Sequence, residues 1–164
     1  MILLPLNSTH NRKGFDCGEP SLNEFLQRIA RQSAAKRISR TVVAIEDVAS
    51  VDILGYHTTL VTALKVEHLP EKLSKTGIPS FLLARLAVDL RQQGKGIGEF
   101  LLLDVLRRAV IISEQTGLYA VVLDALNERA KKFYLGYGFK ELLDDPFHLY
   151  LPIETIIQSG MTSA

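Results

Sequence analysis

The stretch Val88-Asp89-Leu90-Arg91-Gln92-Gln93-Gly94-Lys95-Gly96-Ile97-Gly98 separates a β-rich apolar segment, Phe81 to Val88, from a helical one, Glu99 to Gln115. Glycines at such a junction let the backbone turn tightly and bring bare N–H groups close to a ligand. The first turn of the following helix adds unpaired N–H donors and the positive end of its dipole, and together these form a phosphate site. Three nucleotide-binding patterns compete for it. A P-loop requires G-x-x-x-x-G-K-[ST], and Gly94-Lys95-Gly96 is not followed by the hydroxyl that holds magnesium. A dinucleotide fingerprint requires G-x-G-x-x-G, and Gly94-x-Gly96-x-Gly98 has the wrong last spacing. The third pattern, [Q/R]-x-x-G-x-[G/A], is met by Gln93-x-x-Gly96-x-Gly98. A glycine turn that serves only chain reversal is the plain alternative.

Outward from this loop, the chain alternates strands and helices. Ile2 to Leu6 reads as a short strand. Ser21-Leu22-Asn23-Glu24 reads as a capping box ahead of Leu22, Phe25, Leu26 and Ile29, which share one face at helical spacing. Lys36 and Arg40 would rotate onto that apolar face in one uninterrupted helix, so a break is predicted near Ser33. Thr41 to Glu46 and Ile53 to Leu64 are β-rich, and the one long loop-like stretch runs from Val66 to Pro79. The Glu99 to Gln115 helix is apolar on most sides and should lie deep against a sheet. Leu118 to Leu126 reads as a buried strand, Asn127 as the cap of a short helix through Leu135, stopped by Gly136 and Gly138, and Phe147 to Leu151 as a last strand. The order β-α-α-β-β-β-α-β-α-β predicts an α/β protein, one domain over residues 1–164 with a mixed sheet and helices on both sides.

Composition narrows the class. With 47% hydrophobic and 23% charged residues, the 164-residue chain is an ordinary globular one. No apolar run reaches the roughly 18 residues that cross a bilayer, so no membrane association is expected. Met1-Ile2-Leu3-Leu4-Pro5-Leu6 lacks the basic start and cleavage site of a signal peptide, and Cys17, the single cysteine, cannot form an internal disulfide. A reducing cytoplasm is therefore expected. Residues 1–40 carry seven basic and three acidic side chains, leaving the remainder net acidic within a total of +1. A basic end on a neutral protein is either a footprint for a polyanion or a solvated helix face.

A second motif lies downstream, Asn127-x-x-Ala130-x-x-Phe133-Tyr134-x-x-x-Gly138-Phe139. Paired with Gln93-x-x-Gly96-x-Gly98 and separated from it by one helix and one strand, it resembles the cofactor motifs of the GNAT (Gcn5-related) N-acetyltransferases over about residues 40–150. The resemblance implies a GNAT fold with a mixed, mostly antiparallel sheet and acetyl-CoA as co-substrate, with no metal. It further implies that the backbone of Leu86, Ala87 and Val88 pairs with the pantetheine arm, and that Gln93, Gly94, Lys95, Gly96, Ile97 and Gly98 cradle the pyrophosphate. Asn127 would hydrogen-bond the pantetheine arm, a role compatible with helix capping, and Phe133 would pack against the cofactor. Tyr134 would donate the proton to the departing thiolate; a core tyrosine is the alternative.

Acetyl transfer to an amine also requires that the amine be unprotonated. Many GNAT enzymes place a glutamate on the central strands for this, whereas Phe81 to Val88 has Arg85 as its one charge. Glu46 and Asp124 lie in other strands. His10, His57, His68 and His148 are scattered without ligand or triad spacing and read as surface or structural residues, His57 being the least unlikely participant. An α-amine titrates near 8, against about 10.4 for lysine, and the ester of aminoacyl-tRNA lowers it further, so such a substrate needs little help. Phe15-Asp16-Cys17-Gly18-Glu19-Pro20-Ser21-Leu22-Asn23-Glu24-Phe25-Leu26, with Ala30-Arg31-Gln32 and Leu83-Ala84-Arg85-Leu86-Ala87-Val88-Asp89, is similar to the GNAT toxins of bacterial toxin–antitoxin modules. That similarity implies acetylation of the α-amino group of aminoacyl-tRNA, arrest of translation, a ribbon-helix-helix antitoxin partner and a homodimer. Cys17 is read as small and structural. Arg28, Arg31, Lys36, Arg37 and Arg40 could then contact tRNA phosphates, with Lys131 and Lys132 near the acceptor end, or be ordinary surface charge. The alternatives are a GNAT acting on a small amine or protein N-terminus, and a non-catalytic acyl-CoA-binding module.

Overall fold

The computed structural model describes residues 1–73 and 77–163, so positions 74–76 of the long expected loop lie outside the described residues. Its strands are β1 (Ile2–Pro5), β2 (Arg40–Ile45), β3 (Gly55–Leu64), β4 (Ile78–Val88), β5 (Ala120–Asp124), β6 (Lys140–Glu141) and β7 (His148–Pro152). The helices are α1 (Pro20–Glu24), α2 (Ala30–Ala35), α3 (Ile97–Ser113), α4 (Glu128–Leu135) and α5 (Ile153–Ser159). The strands form one seven-stranded mixed sheet in the order β1-β2-β3-β4-β5-β7-β6. β1–β2, β2–β3, β5–β7 and β6–β7 are antiparallel and β4–β5 is parallel. The expected elements are all present; β6 and α5 are additions, one being too short and the other too near the end of a strand to carry a periodic signal. The chain divides into two compact units, Met1–Leu60 with Ala84–Val105 and Val61–Leu83 with Leu106–Ala164.

In the first unit, Phe15, Phe25, Leu26, Ala30, Val43, Ile45, Ile53, Tyr56 and Ala87 form a buried cluster. Tyr56 packs edge-on to Phe15 and stacked on Phe25, and its hydroxyl donates to the Leu22 carbonyl at 2.7 Å. Burying side chains such as Phe25 and Leu26 stabilises the unit by about 1.5–3 kcal/mol each. Arg85, the one charge of β4, lies 3.7 Å from the Phe25 ring centroid, a cation–π contact that lets a cation sit on a sheet face.

The N-terminal helical segment departs from two expectations. Ser21 is not the cap: the helix starts at Pro20, Glu19 occupies the cap position, and no side chain bonds there. Proline at the first helical position is preset in φ and has no N–H to satisfy, so it starts the helix one residue before the serine. Nor is there a break at Ser33. Phe25–Ile29 instead forms a π-helical turn, with the Ala30 N–H bonded to the Phe25 carbonyl. The extra residue shifts the register, so Ala30 is fully buried where helical spacing had placed Ile29, which is 48% exposed. The segment ends at Lys36, and Arg37 adopts φ +59°. A left-handed conformation costs a non-glycine residue about 1–2 kcal/mol. Arg37→Gly should therefore raise urea-unfolding stability by up to about 1 kcal/mol after the chain-entropy loss that glycine brings; an unchanged or lowered midpoint would show that Arg37 is not strained.

Along α3, Leu101, Leu102, Val105, Leu106 and Ala109 are fully buried. Asp104 breaks that apolar run because it pairs with His57 on β3, Oδ2 to Nε2 at 2.8 Å. In the second unit, Leu64, Leu69, Ile78, Ala120, Val122, Leu142 and Tyr150 form the core. At its margin the Glu71 carboxylate accepts from the hydroxyls of Tyr119 and Tyr150. No described helix is long and apolar enough to cross a membrane.

Candidate active site

β4 ends at Val88 and α3 begins at Ile97. Leu86 and Val88 close around the Ala44, Ile97 and Leu101 cluster, while Ala87 points to the opposite cluster with Tyr56 and Phe25. The side chains of this strand end are thus committed to packing, and its backbone is what remains to meet a ligand. The β4–β5 ladder covers only Ser80–Leu82 with Ala120–Val122, so Leu86 to Val88 lie beyond it. Burying Ile97 and Leu101 also fixes the start of α3, whose first N–H groups have no partner one turn back.

Gln93, Gly94, Lys95 and Gly96 are exposed. Gly94 has φ +80° and Gly96 φ +84°, and a methyl group at either position would meet no atom within 4 Å. Packing does not demand these glycines; backbone conformation does, and their bareness keeps the N–H groups open to an anion. Such a surface fits a pyrophosphate. Gly96→Ala should weaken acetyl-CoA binding about tenfold, the equivalent of roughly 1.4 kcal/mol of left-handed strain. Calorimetry would register this, and an unchanged dissociation constant would remove the loop from cofactor binding.

The Gln93 side chain turns back on the protein, its amide nitrogen donating to the carbonyls of Val88 at 3.1 Å and Cys17 at 3.4 Å. Lys95 Nζ bonds Gln92 Oε1 at 3.2 Å. Asn127 caps α4, its Oδ1 accepting from the Ala130 N–H at 2.9 Å, which leaves its amide N–H groups to donate elsewhere. Tyr134 is buried on α4 between Phe133 and Phe139, with ring centroids 5.2 and 5.6 Å away. Burial pushes its phenol above the ordinary value of 10, so it stays protonated at neutral pH. Phe133 is half-buried and also contacts Tyr137.

Arg28, Arg31, Lys36, Arg37 and Arg40 are all exposed. Arg28 lies 4.0 Å from Glu24. On α4, Lys132 is exposed, whereas Lys131 is bonded to Glu141 and is 12% exposed. Cys17 is buried, and desolvation raises its thiol pKa, as suits a structural cysteine.

The histidines are accounted for by packing. His57 is fully buried against Asp104, which makes it part of the core. His10 accepts from the Asn7 N–H through Nδ1 at 3.1 Å. His68 and His148 both approach Asp144, at 3.6 and 3.0 Å. Nothing in sequence spacing could have signalled the approach of His68 to Asp144, because it joins the β3–β4 connection to the β6–β7 loop. Among the described residues, no group of three or more histidine, cysteine or acidic side chains is placed to hold a metal.

The seven-stranded mixed sheet, with two left-handed glycines leading into α3, is that of an α/β protein. Residues 37–141 match the family described as Acetyltransferase (GNAT) domain. The chain is 32% identical over 140 residues, 84% of its length and 82% of the relative's, to the "tRNA-acetylating toxin" of Mycobacterium tuberculosis (strain ATCC 25618 / H37Rv). Among solved structures it is similar to a mutant of KacT, with TM-score 0.91, 31% identity and 96% and 98% of the two chains covered. It is also similar to AtaT complexed with acetyl-methionyl-tRNAfMet, with TM-score 0.90, 28% identity and the same coverage. A mutant AtaT toxin bound to the C-terminus of the antitoxin AtaR and acetyl-CoA matches with TM-score 0.84, 28% identity and 96% of each chain covered. The chain belongs to the GNAT N-acetyltransferases.

Proposed function

We propose that this chain transfers the acetyl group of acetyl-CoA to the α-amino group of aminoacyl-tRNA and acts as the toxin of a toxin–antitoxin pair. The observation that carries the cofactor half is the exposed pair of left-handed glycines, Gly94 and Gly96, leading into the N-terminus of α3. There the loop and first helical turn, Gln93 to Gly98, hold the pyrophosphate by backbone N–H groups. The β4 backbone from Leu86 to Val88 pairs with the pantetheine arm in the manner of an added strand. The Asn127 amide donates to a carbonyl of the same arm, and Phe133 packs against it.

The substrate amine attacks the thioester carbonyl carbon, the carbon–sulfur bond breaks as the Tyr134 hydroxyl delivers its proton to the departing sulfur, and the proton shed by the newly acylated nitrogen returns through solvent to restore the phenol. Tyr134 suits this because burial keeps the phenol protonated at neutral pH. An α-amine next to an ester is largely neutral near pH 8 and needs no carboxylate from β4, whose one charge, Arg85, is engaged by Phe25. The exposed cations Arg28, Arg31, Lys36, Arg37 and Arg40 supply phosphate contacts of the kind that position a nucleic acid. Lys132, with Lys131 beside it, serves the acceptor end. This reading places the chain in the cytoplasm as a homodimer neutralised by a ribbon-helix-helix antitoxin, and it is supported by similarity to toxins solved with tRNA and with antitoxin.

Mass spectrometry of aminoacyl-tRNA after incubation with acetyl-CoA tests the proposal. An acetyl group on the α-nitrogen of the aminoacyl moiety is expected. Labelling of free amines or peptides with charged tRNA left unmodified would replace it with a small-amine or protein acetyltransferase.

A further inference from the structure

The glycines that let the cofactor loop curve also leave it with no conformation of its own, so something outside the loop must hold it. The first residue after β4 is the best-connected polar group in that region. Asp89 is 1% exposed. Its Oδ1 accepts from the Arg91 N–H at 2.9 Å and from Arg91 Nε at 2.8 Å. Its Oδ2 accepts from Arg91 Nη2 at 2.9 Å and from the Asp16 N–H at 3.2 Å. Its own N–H donates to the Leu54 carbonyl at 2.9 Å, and its carbonyl accepts from the Gln92 N–H at 2.8 Å.

The network continues into the segment before α1. Arg91 Nη2 also donates to the Gly14 carbonyl at 3.1 Å. The Leu90 N–H donates to the Asp16 carbonyl at 2.8 Å. Asp16 Oδ1 accepts from the Gly18 N–H and from Asn23 Nδ2, both at 2.9 Å. Gln93 adds its amide contacts to the carbonyls of Val88 and Cys17. Residues 14–18 and 89–93 are thus stitched together, and the bonds from the Asp16 N–H to Asp89 and from Arg91 to the Gly14 carbonyl are charge-assisted, which are the strong ones.

We propose that Asp89 is the positioning residue of the acetyl-CoA loop: bridging Arg91 and the Asp16 backbone, it holds the turn from Val88 to Gly94 in the conformation that aims the following N–H groups at pyrophosphate. This rests on the loop being the acetyl-CoA site. The arrangement joins two sequence segments more than 70 residues apart, one ending at Asp89 and one containing Asp16. It also assigns Gln93, expected to touch the pyrophosphate, to closing the loop from behind. The carboxylate stays ionised throughout the working range, because its bonds from Arg91 hold it down at about 2. Arg91 in turn neutralises it, so the anion inside the loop does not repel the phosphates the loop binds.

Asp89→Asn replaces an acceptor-only carboxylate by an amide that must turn N–H groups toward existing donors. Loss of charge-assisted bonds that preorganise the loop should raise the Kd and KM for acetyl-CoA about tenfold or more. Neither kcat at saturating acetyl-CoA nor the KM for aminoacyl-tRNA should move more than about twofold, because Asp89 touches no reacting atom. In the ligand-free protein, amide exchange across residues 90–96 should accelerate. Leu142→Ala, a core truncation in the cluster of Leu64, Leu69, Ile78, Ala120, Val122 and Tyr150, none of which the proposed cofactor site uses, serves as the stability control: it should lower the melting temperature without changing acetyl-CoA affinity. If Asp89→Asn binds acetyl-CoA as tightly as the unaltered chain, or if Leu142→Ala weakens binding as much, Asp89 is a structural residue and the proposal falls. If the unaltered chain itself fails to bind acetyl-CoA in calorimetry, the cofactor-site assignment falls instead.

Discussion

Replacing Tyr134 with Phe should reduce the single-turnover rate of acetyl transfer by about 10²- to 10⁴-fold, the contribution of a positioned general acid, while changing acetyl-CoA affinity by less than about threefold. The separation of the two effects follows from where the ring sits. Tyr134 packs edge-on against both Phe133 and Phe139, and phenylalanine keeps those contacts. What is lost is a buried hydroxyl whose proton is retained because the phenolate could not be solvated there. The sign of the pH effect follows. A phenol raised above 10 donates throughout the neutral and mildly alkaline range, so no loss of rate should set in below pH 10 from its ionisation. An amide-linked aminoacyl-tRNA, which survives alkaline buffer, allows that profile to be recorded. A rate within threefold of the unaltered enzyme, or a basic limb centred well below pH 10 and abolished by the substitution, would remove Tyr134 as a phenol with a raised pKa acting as the acid.

Neutralising Arg31, Lys36, Arg37 and Arg40 together should raise the KM for aminoacyl-tRNA by roughly ten- to a hundredfold at physiological salt, with the slope of log affinity against log salt falling by about 0.9 for each phosphate contact removed. Acetyl-CoA affinity should be unaffected, because these side chains belong to the segment around α2 and the start of β2, not to the Gln93–Gly98 loop. The measurement is a salt titration of tRNA binding for the unaltered and substituted proteins, and equal slopes would make this face ordinary solvated charge. Arg37 adds an unusual pairing of signs. Its left-handed backbone makes glycine the more stable residue at that position, yet Arg37→Gly should bind tRNA more weakly. Retention of a strained arginine is understandable if its guanidinium meets phosphate.

Much of the fold was legible because it is locally encoded. β-rich runs marked β2 and β3, a buried apolar run marked β5, and the apolar wrap of Glu99 to Gln115 marked a deeply buried helix. The Asn127 cap was legible for the same reason, its partner being the N–H of Ala130. The capping box at Ser21 misled because two overlapping local signals competed and the proline at position 20 prevailed. The break at Ser33 misled because the conflict between Ile29 and Lys36 was resolved by one inserted residue in a π turn, which helical periodicity does not represent.

The family was legible through the resemblance of two motifs, and the glycines with positive φ and the Asn127 cap were legible because they depend on neighbours a few residues away. What holds those parts in place was set by long-range packing. The Glu71 bond to Tyr119 and Tyr150, the approach of His68 to Asp144, the burial of His57 against Asp104 and the Asp16–Asp89 and Gly14–Arg91 bonds all join residues distant in the chain. A carboxylate reads the same in sequence whether it ends in solvent or in a buried network. Its partner is set by the register of strands and the crossing of helices, which no local pattern contains.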